Sequence, residues 1–178
     1  MERKKAHAHL KYMILSALFA AMIYIMTALV HIPTHQGYVH IGDGCIFLAA
    51  ALLPAPYAMG AAAIGAGLSD YLSGYALWVV PTMIIKAAMA SVFVGRRQNI
   101  ICKRSLFCLV PASVICVGGY YIAGALLAIV SGSAAGAAFS AAVADIPSNV
   151  IQCIGSAALF VFLGTAMDKT GVRRLISD

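Results

Sequence analysis

The sequence "GCIFLAAALLPAPYAMG", residues 44–60, decides how many helices the chain contains. Its first ten residues, 44–53, are apolar but fall short of the roughly 20 residues that a helix needs to cross a bilayer at right angles. Pro54 and Pro56 prevent this stretch from continuing as one helix into the apolar residues that follow. The stretch is therefore either a short membrane helix of its own or not a crossing at all.

The composition of the whole chain is that of an integral membrane protein. Of its 178 residues, 62% are hydrophobic and only 10% are charged, whereas soluble domains contain about 25% charged residues. The length suggests a single domain, residues 1–178. Six apolar segments can be marked along it, at residues 12–30, 44–53, 57–73, 77–94, 105–130 and 139–164.

The positions of the basic residues favour six crossings. Eleven of the 12 Lys and Arg residues lie before the first segment (3–11), between the fourth and fifth (96–104), or after the sixth (169–174). Because Lys and Arg concentrate in cytoplasmic loops, an even number of crossings must separate these clusters, and omitting only 44–53 would break that rule. We predict an all-α integral membrane protein with six transmembrane helices and cytoplasmic N- and C-termini. The net charge of +6 then reflects orientation and not a nucleic-acid partner.

The remaining basic residue, Lys86, lies in the middle of the fourth segment, in "VVPTMIIKAAMA" (79–90). An unpaired lysine at this depth costs about 2.5–3.5 kcal/mol on insertion scales, and it is too central to extend to the interface. A structural ion pair would explain it, but a functional role is the usual interpretation of an intramembrane charge. We expect Lys86 either to meet a polar or anionic part of a ligand or to pair with Asp145.

The sixth segment contains a row of polar residues in "DIPSNVIQCIGS" (145–156). Asp145, Asn149, Gln152 and Ser156 are spaced so that they share one helical face. Such a face is unfavourable against lipid, so it is expected to point into the bundle. A polar helix–helix contact would satisfy it, but carboxamides can also donate to and accept from a planar heterocycle, and we predict a binding face.

The loop after the first helix, "HIPTHQGYVHIGDG" (31–44), is expected to cover a pocket. Its three histidines at 31, 35 and 40 follow H-x-x-x-H and H-x-x-x-x-H spacings in a glycine-broken loop. They therefore form no fixed ligand face, and a metal site is not predicted. Tyr38, His40 and Asp43 are candidate binding residues instead. On the fifth segment, Tyr120 or Tyr121 could stack on a flat ligand while the other packs. Tyr75 and Trp78 suit an aromatic belt at the membrane interface.

Motifs typical of enzymes are missing. The sequence contains no G-x-S-x-G, no H-E-x-x-H and no phosphate-binding P-loop, so neither catalysis nor ATP binding by this chain is expected. No cofactor is predicted. The cysteines show no C-x-x-C spacing and are interpreted as buried apolar residues, not as disulfides or metal ligands. They are Cys45, Cys102, Cys108, Cys116 and Cys153.

Residues 37–90 and the later "DIPSNVIQ" (145–152) together resemble the S components of energy-coupling factor (ECF) vitamin importers, in the family of the riboflavin-type S components. The resemblance rests on the Gly42-Asp43 turn, the D-x-x-x-G of Asp70 and Gly74, and the buried Lys86. It implies six membrane helices and a binding site near the outer face, formed by the first loop and helices four to six. It also implies a transmembrane coupling subunit and two ATPases as partners. Ala17 and Ala21 match the A-x-x-x-A pattern that docks onto the coupling subunit in this family.

The sequence leaves the ligand and one alternative function open. The resemblance implies riboflavin, pyridoxine, a pyrimidine precursor of thiamin or a queuosine precursor as the ligand, whereas the amides and tyrosines by themselves indicate only a planar polar molecule. A stand-alone secondary permease, coupled to protons through its Asp, His and Lys residues, is the alternative to an S component. Co-purification separates the two, because only the S component should bring down a coupling subunit and ATPases.

Overall fold

The computed structural model describes residues 2–33, 38–93 and 99–171, and these residues are mostly helical. The second and third helices are joined only by Leu53 and Pro54, and two short 3-10 turns precede α4 and α7. The helices are α1 (Glu2–Ala28), α2 (Asp43–Leu52), α3 (Ala55–Leu72), α4 (Val79–Ser91), α5 (Lys103–Val130), α6 (Ala135–Ala142) and α7 (Ile146–Thr170); the turns are Ala76–Trp78 and Val143–Asp145; the strands are β1 (His31–Pro33) and β2 (Tyr38–His40).

Each of the six predicted apolar segments contains a helix, but the boundaries differ. The first helix begins at Glu2, well before the apolar run that starts at residue 12. The predicted sixth helix, 139–164, is divided: α6 ends at Ala142, and α7 restarts at Ile146 and continues to Thr170. Pro147 lies in the first turn of α7, where its missing N–H is not needed, so the chain restarts a helix there.

Three helical stretches are long and apolar enough to cross a membrane: Ala6–Ala28, Lys103–Val130 and Ala135–Thr170. Two further apolar helices, Asp43–Leu52 and Ala76–Ser91, are shorter. All ten residues of α2 are buried, which explains how so short a helix is accommodated. At 1.5 Å per residue it is about 15 Å long, and it is enclosed by protein instead of lipid.

Small residues bring the helices of the bundle together. A Cβ at position 65 would lie 2.5 Å from the Ala20 carbonyl oxygen of α1, so only glycine allows α3 to pack this closely. A Cβ at position 44 would lie 2.8 Å from the Ser156 carbonyl oxygen, which fixes the approach of α2 to α7. The small residues of α3 therefore pack within the chain.

The loop after α1 forms a small antiparallel hairpin instead of irregular coil. Strand β1 pairs with β2, and His31 lies opposite His40. His35 lies outside the described residues, so the metal interpretation of the three histidines is not addressed by the structure at that position. The hairpin places Tyr38 and His40 against the ends of the helices at this end of the bundle.

The opposite end of the bundle carries a group of basic residues. Lys103 and Arg104 begin α5, and Lys169 lies in the last turn of α7. Asp168 links these two regions, because its carboxylate accepts the backbone N–H groups of Ile100 at 2.8 Å and Ile101 at 2.9 Å. The clusters at 96–97 and 173–174 lie outside the described residues.

The cysteines are all free thiols, and four of the five are buried, as expected for apolar packing. Cys102 is half-buried. Cys116 differs because it also contacts a charged group: its sulfur lies 3.7 Å from the Lys86 ammonium nitrogen.

Candidate functional site

A cavity of about 80 Å³, lined by polar and aromatic side chains, opens at the end of the bundle away from Lys103 and Lys169. The hairpin, the end of α3, the start of α4, α5 and the start of α7 all contribute to its wall. Because these elements are far apart in the sequence, the cavity depends on the whole fold. Its lining residues are Tyr38, His40, Asp70, Tyr75, Trp78, Thr82, Tyr120, Asp145, Ser148, Asn149 and Gln152.

A fully buried ion pair lies behind this wall. The Lys86 ammonium contacts both carboxylate oxygens of Asp43, at 2.8 and 2.9 Å, and both side chains have 0% exposure. Asp43 therefore occupies the position of the ion-pair partner for which the sequence suggested Asp145. Neither Lys86 nor Asp43 lines the cavity, so the lysine charge is compensated within the protein.

Gln152 connects the ion pair to the cavity. Its Nε2 donates to Asp43 Oδ2 at 3.0 Å, and the residue also lines the cavity. Because an ionised carboxylate only accepts hydrogen bonds, the amide must turn its nitrogen toward Asp43. The carbonyl oxygen, Oε1, accepts no hydrogen bond from the described residues. It is also not one of the fully buried side-chain atoms that lack a partner, so it is partly exposed. It is thus the amide atom left open to the cavity.

A chain of hydrogen bonds converges on Asp70 at the opposite wall. Tyr38 donates its hydroxyl to Asp70 Oδ1 at 2.7 Å, and Thr82 also hydrogen-bonds this carboxylate. The Thr82 hydroxyl lies 3.2 Å from the Tyr120 hydroxyl. Because the Thr82 hydroxyl has one proton, its donation to the Asp70 carboxylate requires that the Tyr120 hydroxyl donates to the Thr82 oxygen. The chain therefore ties the hairpin, α3, α4 and α5 together around the cavity.

The hairpin contributes two polar side chains to the cavity wall. Burial raises the pKa of the Tyr38 hydroxyl well above its ordinary value, so Tyr38 remains a protonated donor. His40 Nδ1 accepts the backbone N–H of Gly42 at 3.1 Å. This hydrogen bond fixes the orientation of the His40 ring at the cavity wall.

Aromatic rings supply the apolar part of the cavity. The rings of Trp78 and Tyr120 lie 5.9 Å apart, and those of Tyr38 and Tyr75 lie 5.3 Å apart. The Lys86 ammonium lies 5.0 Å from the centre of the Tyr120 ring, a cation–π distance that holds this ring in place. Flat faces combined with amides suit a planar molecule with polar edges.

The structure gathers most of the residues selected from sequence at this one cavity. Tyr38, His40, Tyr120, Asp145, Asn149 and Gln152 line it. Tyr121 does not, because its ring packs against Phe139 of α6 at 5.8 Å. Ser156, from the predicted polar face of the sixth segment, is fully buried next to α2 and also does not line the cavity.

Five lining residues were not selected as binding residues from the sequence: Asp70, Tyr75, Trp78, Thr82 and Ser148. A signal existed for some of them. Thr82 precedes Lys86 by one helical turn, and Ser148 adjoins Asn149. Tyr75 and Trp78 were assigned to a membrane-interface belt, because hydropathy alone does not distinguish a ring that faces lipid from one that faces a cavity.

An apolar helical chain with a cavity at one end, lined by polar and aromatic side chains, is the arrangement of a membrane protein that binds a small solute. The sequence matches the family model of the ECF-type riboflavin transporter, S component, over residues 8–169. The chain belongs to this family, whose members are transporter subunits and not enzymes. This confirms the resemblance found in the sequence. A search of curated proteins gave no match.

Proposed function

We propose that the chain is the substrate-capturing subunit of an ECF-type importer. It binds a vitamin-like planar heterocycle in the cavity at its outer end, and a transmembrane coupling subunit with two ATPases drives the uptake. Both termini face the cytoplasm in this proposal. The observation that carries it is the cavity itself, in which the Asn149 amide and the Gln152 carbonyl oxygen accompany the rings of Trp78 and Tyr120.

The orientation rests on the two ends of the bundle. Lys103, Arg104 and Lys169 lie at one end, and the cavity lies at the other. Because basic residues concentrate on the cytoplasmic side, the cavity faces the outside, where an importer meets its substrate.

The contact with the coupling subunit is supported by the exposure of Ala17 and Ala21 on α1. Both alanines are exposed, whereas the comparable stripe on α3, around Gly65, is buried in contact with α1. Small residues that are not used inside the chain leave a surface on which another membrane helix can approach closely. We assign this face to the coupling subunit because the family to which the chain belongs works with one.

Adjacent tyrosines allow a controlled test of the cavity. Tyr120→Leu removes a ring from the cavity wall, and we expect about a tenfold to hundredfold loss of ligand affinity because an aromatic contact and its buried area are lost. Tyr121→Leu changes a neighbouring ring of the same kind that packs on Phe139 instead. It should leave the affinity within about twofold.

The measurement is the amount of small molecule that mass spectrometry finds released from each protein after gentle purification. Comparable ligand content in wild type and Tyr121→Leu, with a loss in Tyr120→Leu, would support the proposal. Equal retention by both variants would place the ligand elsewhere and contradict it.

A further inference from the structure

The Gln152 side chain uses both of its N–H groups inside the protein. Its Nε2 donates to Asp43 Oδ2 at 3.0 Å and to Cys116 Sγ at 3.9 Å. A carboxamide nitrogen has two hydrogens, so none remains for a ligand. The atom that this side chain offers to the cavity is therefore its carbonyl oxygen, Oε1.

The buried ion pair prevents the Gln152 amide from turning over. Lys86 contacts both oxygens of Asp43 and keeps the carboxylate in place, and both side chains have 0% exposure. An ionised carboxylate only accepts hydrogen bonds. The reversed amide would place Oε1 against Asp43 Oδ2, where two acceptors would meet without a hydrogen between them and without water to compensate. Gln152 is itself 3% exposed, so its amide is held in one orientation.

Asn149, which precedes Gln152 on the same face of α7, provides the contrast. It also lines the cavity but is only half-buried. Its side chain forms no hydrogen bond within the part of the chain that the structure describes. The Asn149 amide can therefore rotate and present either its nitrogen or its oxygen to a ligand. Of these two carboxamides, Gln152 is the one with a fixed hydrogen-bonding polarity.

We propose that Gln152 selects the ligand by requiring an N–H group at the edge of its heterocycle, and that Asp43 is the positioning residue that imposes this requirement. A heterocycle with an oxygen or an unprotonated ring nitrogen at this edge would direct a lone pair at Oε1. This inference rests on the proposed function, because it specifies the substrate class of the same site.

Matched pairs of compounds that differ in one edge group test this selection. Purified full-length protein is titrated with 4-amino-5-hydroxymethyl-2-methylpyrimidine and with its 4-methoxy counterpart, and binding is followed by calorimetry. The compound that mass spectrometry identifies after release from the protein is included, together with analogues in which each N–H or amino group is replaced in turn by oxygen. For each heterocycle that binds, one such replacement should weaken binding at least about tenfold, because Oε1 loses its donor and faces an acceptor.

Two single variants assign this preference to Gln152. Gln152→Met keeps the length of the side chain but removes Oε1, and it should reduce the preference to about threefold or less. Asn149→Leu removes the neighbouring amide and should weaken both members of the pair while keeping the ratio of their affinities within about twofold. A preference that Gln152→Met leaves unchanged, or that Asn149→Leu abolishes instead, would overturn the inference while leaving the proposed function intact.

The double variant Lys86→Met, Asp43→Asn tests the positioning role of Asp43. An asparagine can accept a hydrogen bond from the Gln152 nitrogen or donate one to its oxygen, so the amide can then take either orientation. The preference should fall at least about threefold, whatever the affinity for the better member becomes. If both members lose affinity in equal proportion, the ion pair supports only the structure of the wall, and the positioning role is contradicted. If no compound binds to the wild-type protein or is released from it, the proposed function itself fails.

Discussion

Replacing Lys86 with methionine is expected to destabilise the folded protein by about 3–5 kcal/mol, because it leaves the fully buried Asp43 carboxylate without its counter-ion. Lys86 and Asp43 are both 0% exposed, so water cannot compensate the remaining charge. We also expect the variant to lose ligand binding, because Lys86 fixes the Asp43 carboxylate, and this carboxylate orients the Gln152 amide at the cavity wall. The free energy of unfolding in mixed micelles measures the first effect, and calorimetry measures the second.

The matched control is the double variant Lys86→Met, Asp43→Asn. An asparagine can still accept the hydrogen bond from Gln152 but carries no charge, so the double variant should recover at least about 2 kcal/mol of the stability lost in the single variant. If the single and double variants are equally unstable, the lysine acts through packing alone, and the ion-pair interpretation is contradicted.

Replacing both Ala17 and Ala21 with tryptophan is expected to reduce capture of the coupling subunit and ATPases at least tenfold without changing the ligand content. Two indole rings would hold α1 away from a partner helix, whereas alanine allows the backbones to approach closely. The measurement is quantitative mass spectrometry of the proteins that co-purify with the tagged chain from native membranes.

A tryptophan at Val114, an exposed residue of α5, controls for the bulk of the new side chain at a different surface of the bundle. It should leave co-purification unchanged. Unaltered capture by the Ala17, Ala21 variant would contradict the docking face. If even the wild-type chain brings down no coupling subunit or ATPase, the stand-alone permease becomes the better account, and uptake should then respond to a protonophore.

The helical segments could be predicted because they depend on local composition. Apolar runs and basic clusters are visible in the sequence, and every segment contains a helix in the structure. The division of the sixth segment into α6 and α7 was missed because the whole stretch Ala135–Thr170 is apolar enough to be interpreted as one helix. Hydropathy records burial and does not record where the backbone changes direction.

The site could be predicted only where helical periodicity determines it. Asn149 and Gln152 lie three positions apart, so their shared face follows from the geometry of a helix. The pairing of Lys86 with Asp43 depends on how α2 is placed against α4, which the sequence does not state. For the same reason, the sequence could not decide which of Tyr120 and Tyr121 lines the cavity. Consecutive residues point in different directions, and the rotation of α5 determines which ring meets the cavity.

The most direct test of the account is an experimental structure of the protein purified with the small molecule that it retains. We predict ligand density in the cavity between the Trp78–Tyr120 rings and the Asn149–Gln152 wall, with a ligand nitrogen within hydrogen-bonding distance of Gln152 Oε1. Density for the ligand at another place on the molecule, with only water between these walls, would contradict the account.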